Sequence, residues 1–160
     1  MVVIAIISVF SSVILAQVNE SRDKAYEART LVEFNSLVQA IALYANDKEN
    51  TMPDDVDRNL PPGLEEYLGP GEWPGAPWPD SVYDWDNWII DDGEGKGPEQ
   101  IYQISVRFCP FGQPSNCNFP EEAWAAGFDY HSAVYWCIEG PCRSHSSKPE
   151  SWPGYCLNCH

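Results

Sequence analysis

From Met1 to Asn19 the chain carries no charged residue, and Val2-Val3-Ile4-Ala5-Ile6-Ile7 opens it as an unbroken apolar run. Up to Ala16 only Ser8, Ser11 and Ser12 are polar, so the run falls about one turn short of the roughly 20 residues that span a bilayer core. It lacks the basic start and the small-x-small end of a cleaved secretory signal. After Gln17 the pattern turns amphipathic. Leu31, Phe34, Val38, Ile41 and Ala45 keep the three-four spacing of one helix face, flanked by Leu37 and Tyr44. No Pro or Gly interrupts the first fifty residues, and Asn46, Asn50 and Pro53 supply stop signals. The pattern predicts one helix over residues 1 to 48, about 70 Å long at 1.5 Å per residue. Residues 1–19 read as membrane anchor and filament core, residues 20–50 as its amphipathic continuation.

Beyond residue 50 the periodicity changes. Residues 53–80 are broken by Pro and Gly and leave room for a helical turn at Leu64 to Leu68. Three strands are predicted: Val82 to Ile90, Ile101 to Cys109, and Ala133 to Ile138. In the second, Ile101, Tyr102, Ile104, Val106 and Phe108 carry the β-branched and aromatic bias, while Gln103, Ser105 and Arg107 fall on the other face. Pro120 to Ala125 reads as a short helix with Pro in its first turn. The fold class is therefore α+β: a long N-terminal helix packed on a small antiparallel sheet, with a loop-rich C-terminal region.

Composition sharpens the division. All 14 Pro, 11 Gly, 6 Cys and 7 Trp of the 160 residues lie after residue 50. Of a net charge of -15, the first fifty residues hold four basic against six acidic groups, leaving five against 18 in the head, residues 51–160. Such a head repels phosphate backbones, which excludes nucleic acid as a partner and leaves cations favoured. Six cysteines, at 109, 117, 137, 142, 156 and 159, suit a disulfide framework in an exported domain. Sequence alone allows 15 connectivities. The short loops favour Cys109 with Cys117, Cys137 with Cys142, and Cys156 with Cys159.

The stretch Val2-Val3-Ile4-Ala5-Ile6-Ile7-Ser8, the polar junction Asn19-Glu20-Ser21-Arg22, then Ala40-Ile41-Ala42-Leu43-Tyr44 and Met52-Pro53 resembles the N-terminal helix of type IV pilins and type II secretion pseudopilins. That resemblance implies a structural subunit of an extracellular filament, polymerising through Val2, Val3, Ile4, Ile6, Ile7, Val9, Phe10, Val13 and Ile14. It implies copies of itself and an inner-membrane assembly machinery as partners, with the inner membrane occupied before the cell surface. The alternative within the class is a secretion pseudopilin in the envelope. The family's basic prepilin leader, methylated aromatic residue and early Glu lie upstream of the match, so the chain is expected to start a few residues inside the mature helix. Burial of the eight Val and Ile residues between Val2 and Ile14 against identical helices is worth more than about 10 kcal/mol per subunit. Head-to-tail contacts that do not close generate helical filaments.

Three other chemistries have sequence support. Cys156-Leu157-Asn158-Cys159-His160 spells C-x-x-C-H, the c-type haem attachment signature, and names a haem electron carrier as the rival of another class. In an oxidising compartment a disulfide is the competing fate of these thiols. Zinc on the same residues needs a fourth ligand from His131 or His145. Asp84, Asp86, Asn87, Asp91 and Asp92 form a calcium candidate, as the pseudopilin resemblance also implies, although neither the Gly nor the Glu of an EF-hand loop is in place. The competing reading is a strand whose acids face water. The many Trp and Tyr suggest sugar stacking or core packing. No catalytic motif is present, so the protein is expected not to be an enzyme and to need no cofactor.

Overall fold

The absence of Pro and Gly from the first fifty residues is realised as a single helix, α1 (Val2–Asp47). The computed structural model describes residues 2–69, 71–91, 97–147 and 152–159, and for residues 2–13, 15 and 16 the helical backbone alone. The helix stops where Glu49 and Asn50 turn left-handed, at φ 56° and 65°. The Asn50 N–H then reaches back to the Ala45 carbonyl at 2.8 Å, a Schellman-like closure that satisfies an end carbonyl.

Among the described residues four strands follow: β1 (Val82–Ile90), β2 (Glu99–Arg107), β3 (Ala133–Glu139) and β4 (Gly154–Cys156), in the spatial order β1-β2-β3-β4. The first two pairings are antiparallel, and Tyr83 faces Val106, which faces Val134. The antiparallel expectation needs one correction, because β4 runs parallel to β3. A three-residue strand behind Pro153 has no periodicity to read. The second strand also ends two residues earlier than expected, and of the helix expected at 120–125 only a 3-10 turn, Ala123–Ala125, forms. The turn expected near residue 64 is the 3-10 helix Leu64–Tyr67.

The helix lies on the sheet face made by Tyr83, Trp85, Ile104, Val106 and Val134, all fully buried. Its buried stripe is Phe34, Leu37, Ala40, Ile41 and Ala45, with Leu31 and Val38 half-buried at the margin. Phe34 meets Tyr83 and Trp136 at ring-centroid distances of 5.7 and 6.4 Å. A polar joint adds to these contacts: Tyr83 donates a hydrogen bond to Glu33, which also accepts one from Arg29 at 2.7 Å. Arg29 in turn donates to the Gly75 carbonyl at 2.9 Å.

The disulfides pair as expected: Cys109–Cys117, Cys137–Cys142 and Cys156–Cys159. On the chain-entropy account such short loops contribute about 2–3 kcal/mol each. The second one closes the turn after β3, where Gly140 has φ 85°. A Cβ there would lie 2.0 Å from the Gln100 carbonyl oxygen, so both the dihedral and the close approach require glycine.

Candidate functional site

Strand alternation sends Asp84 and Asp86 of β1, and Gln103, Ser105 and Arg107 of β2, to the sheet face away from the helix. These side chains do not meet water, which corrects the expectation of solvent-facing acids: Asp84 is 2% and Asp86 1% exposed. The segment after Cys142 folds back over them. Gln103 clamps it by donating to the Arg143 carbonyl at 2.7 Å and accepting from the Arg143 N–H at 3.0 Å. Arg107 Nη1 donates to the carbonyls of Ser144 and His131. Buried main-chain groups of the covering loop thus find partners on the sheet.

Arg107 is the centre of the layer. Its Nε donates to Asp84 at 2.9 Å and its Nη2 to Asp86 at 2.8 Å, while Asp86 also accepts from Gln103 at 2.8 Å and Ser105 at 2.9 Å. Two carboxylates share one guanidinium, so one negative charge lacks a counter-charge in a buried site. Burial, reinforced by Asp86, pushes the Asp84 carboxyl up to about 7, and burial raises Asp86 as well.

A cleft of about 140 Å³ opens beside this layer. Its floor is the triad of Asp84, Asp86 and Arg107, and its mouth is formed by Asp55, Asp57 and Arg58. The rings of Trp88, Tyr130, His131 and His145 line it. His131 and His145 sit 4.3 Å apart between centroids, and Trp152 packs 4.8 and 4.7 Å from them. Burial, then the neighbouring His131, pushes His145 down to about 4, and burial lowers His131 too. Asp55 rises to about 6 through burial and the Asp84 charge, although hydrogen bonds from the Asn87 N–H and the Trp88 indole oppose the shift.

The signs of these shifts conflict usefully. Asp55 and Asp84 bind their protons more tightly in the folded state, so their contribution is present below about pH 4 and is lost as pH rises through about 6 and 7. His145 binds its proton less tightly when folded, so its contribution is lost as pH falls from about 6.5 to 4. The two slopes oppose one another between about pH 4 and 7. Replacing His145 by Gln should therefore make stability fall more steeply with rising pH across that window than in the parent protein. Urea midpoints measured across the window check this, and parallel curves for the two proteins would refute it.

The sequence-derived sites fare unevenly. Of the calcium candidates, Asp84 and Asp86 are engaged by Arg107, and Asn87 donates to the Pro53 carbonyl at 2.7 Å and accepts from Gln100 at 2.7 Å. Asp91 is exposed, and Asp92 lies outside the described residues. Among the described residues no group of three or more His, Cys, Asp or Glu is arranged to hold a metal ion. Cys156 and Cys159 are bonded to each other, so the thiols that haem or zinc would need are occupied; His160 lies outside the described residues. Of the filament residues Val2, Val3, Ile4, Ile6, Ile7, Val9, Phe10, Val13 and Ile14, only Ile14 has a described side chain, and it is 56% exposed. Val18 is 47% exposed, and residues 17–22 are all exposed. Among the described residues no helix is long and apolar enough to cross a membrane, so the expected transmembrane segment is not found there.

Sequence reasoning missed the ionic layer and the cleft. The signal was present as two acids at alternate positions of one strand beside a lone Arg in the next, in a chain with only nine basic residues. No family model, curated protein or solved structure matches this chain, so the pilin resemblance rests on the residues that carry it.

Proposed function

We propose that this chain is a structural subunit of a type IV pilus-like filament, built through the N-terminal part of α1 with the acidic heads outside. The observation that carries the reading is the unbroken 46-residue helix Val2–Asp47, whose second half packs on the sheet while residues 17–22 stand exposed. A helix of that length reaches about 69 Å. The exposed apolar side chains of Ile14 and Val18 call for burial against something else, and identical helices in a stagger provide it. Ile14 and Val18 are the described members of that surface. A secretion pseudopilin would use the same helix in the same way.

The test is assembly of the full chain. Purified in detergent and dialysed free of it, the parent protein should form filaments visible by negative-stain electron microscopy. Ile14→Asp with Val18→Asp should abolish them and leave the thermal midpoint of the head unchanged, because both side chains are exposed. Persistence of monomers in the parent protein, or filaments in the double variant, defeats the proposal.

A further inference from the structure

We infer that the outer face of α1, from Ile14 to Ala42, is a pairing seam for α1 of a second copy that lies parallel to it and is shifted along it by two heptads. The inference rests on the filament reading for its partner and names the contact through which that partner is held.

Alternate steps of four and three residues lead from Ile14 through Val18, Ser21, Ala25, Ala28 and Val32 to Ala42. All nine positions reached are exposed, and none of the seven charged residues between 14 and 42 falls on them. This face is opposite the buried stripe of Phe34, Leu37 and Ile41. Three of its residues are large and apolar: Ile14, Val18 and Val32 are 56%, 47% and 67% exposed. The core of the head makes no use of them. An uncharged repeat of about 3.5 residues, left open on a helix, is the pattern that a second helix supercoiled against it reads.

Shape and charge set the register. In a parallel pair, an apolar side chain of one helix enters a hole made by four residues of the other. Such a hole is present: an open groove of about 450 Å³ is lined by Ile14, Gln17, Val18 and Ser21, with Arg22 and Ala25 beside them. Val32 stands at the same heptad position as Val18, two repeats on, and is the most exposed of the three apolar residues. Flanking charge then chooses among the shifts. With no shift, Lys24 faces the second copy's Arg29, and with a shift of one heptad Arg22 faces its Lys24, so like charges oppose both. A shift of two heptads sets Lys24 against Leu43, Arg22 against Leu31 and Arg29 against Val38, and it brings Val32 over the hole. The displacement is about 21 Å along the axis. Residues 14–28 of one copy then meet residues 28–42 of the next, so the contact does not close on itself and repeats from copy to copy.

The experiment places one free thiol in each full chain, whose own six cysteines are all paired. Val18→Cys and Val32→Cys, both at exposed positions, are mixed in detergent, dialysed free of it and treated with a short bismaleimide. The mixture should give at least about fivefold more crosslinked dimer than either variant alone, because the shift brings Val18 to Val32 and never to another Val18. Adding Ala28→Glu to both chains buries an unpaired charge in the middle of the seam and should lower that crosslink at least about tenfold. The thermal midpoint of the head should hardly move, since Ala28 is exposed. Equal crosslinking in the mixture and in either variant alone overturns the inference, as does a crosslink that Ala28→Glu leaves unchanged. The two readings fail separately. Filaments without the mixed crosslink leave only the filament standing, and the mixed crosslink without filaments leaves only the seam.

Discussion

Arg107→Met is expected to destabilise the protein by about 3–5 kcal/mol, because it leaves two buried carboxylates without their counter-charge. Asp84 and Asp86 lose their shared counter-charge, and the carbonyls of His131 and Ser144 lose a donor. A loss of that size is a large fraction of the total stability of a domain, so urea titration should find the head partly unfolded before denaturant is added. The cause is separable from simple loss of packing. Adding Asp84→Asn and Asp86→Asn to the same chain removes the stranded charge and should restore most of the midpoint, since an uncharged replacement of a buried ion pair is often close to neutral. If the triple variant is as unstable as the single one, the charge account fails and shape is the cause.

Phe34→Ala is the second large effect. The ring is completely buried where the helix meets the sheet, in contact with Tyr83 and Trp136, and truncation should cost about 3–5 kcal/mol through lost transfer energy and the cavity left behind. Val32 lies two residues away on the opposite side and is 67% exposed, so Val32→Ala should shift stability by less than about 0.5 kcal/mol. Chemical denaturation followed by tryptophan fluorescence compares the two. Similar losses for both would mean that the helix does not use this face to hold the head.

The helix was legible because its signals are local. Residues without Pro or Gly, a three-four spacing of apolar groups, and Asn50 with Pro53 at the end need no knowledge of the rest of the chain. The same holds for β1, whose bounds agree with the expectation, and for the cysteine pairs, whose partners are close in sequence. What escaped depends on distant contacts. Gln103, Ser105 and Arg107 read correctly as the face turned from the helix, but nothing local says that residues 140–147 return to bury them. That return rests on Gly140, the Cys137–Cys142 bridge and the pairing of Gln103 with the backbone of Arg143, groups some forty residues apart. Arg58 was equally silent, since its place depends on Asp84 accepting its N–H across 26 positions.

The two margins of the sheet bear on how copies of this protein can meet. Along β1, the indole of Trp85 and the amide of Asn87 both donate to the Pro53 carbonyl, and Arg58 N–H donates to Asp84, so the incoming segment lies like a hem against that border. The opposite border, β4, is three residues long, preceded by Pro153 and followed by a disulfide loop that Asn158 ties to both the N–H and the carbonyl of Cys137. The β4 border offers no long row of open donors and acceptors of the kind that strand-by-strand stacking requires. Addition of a second copy's strand at that border is thereby disfavoured.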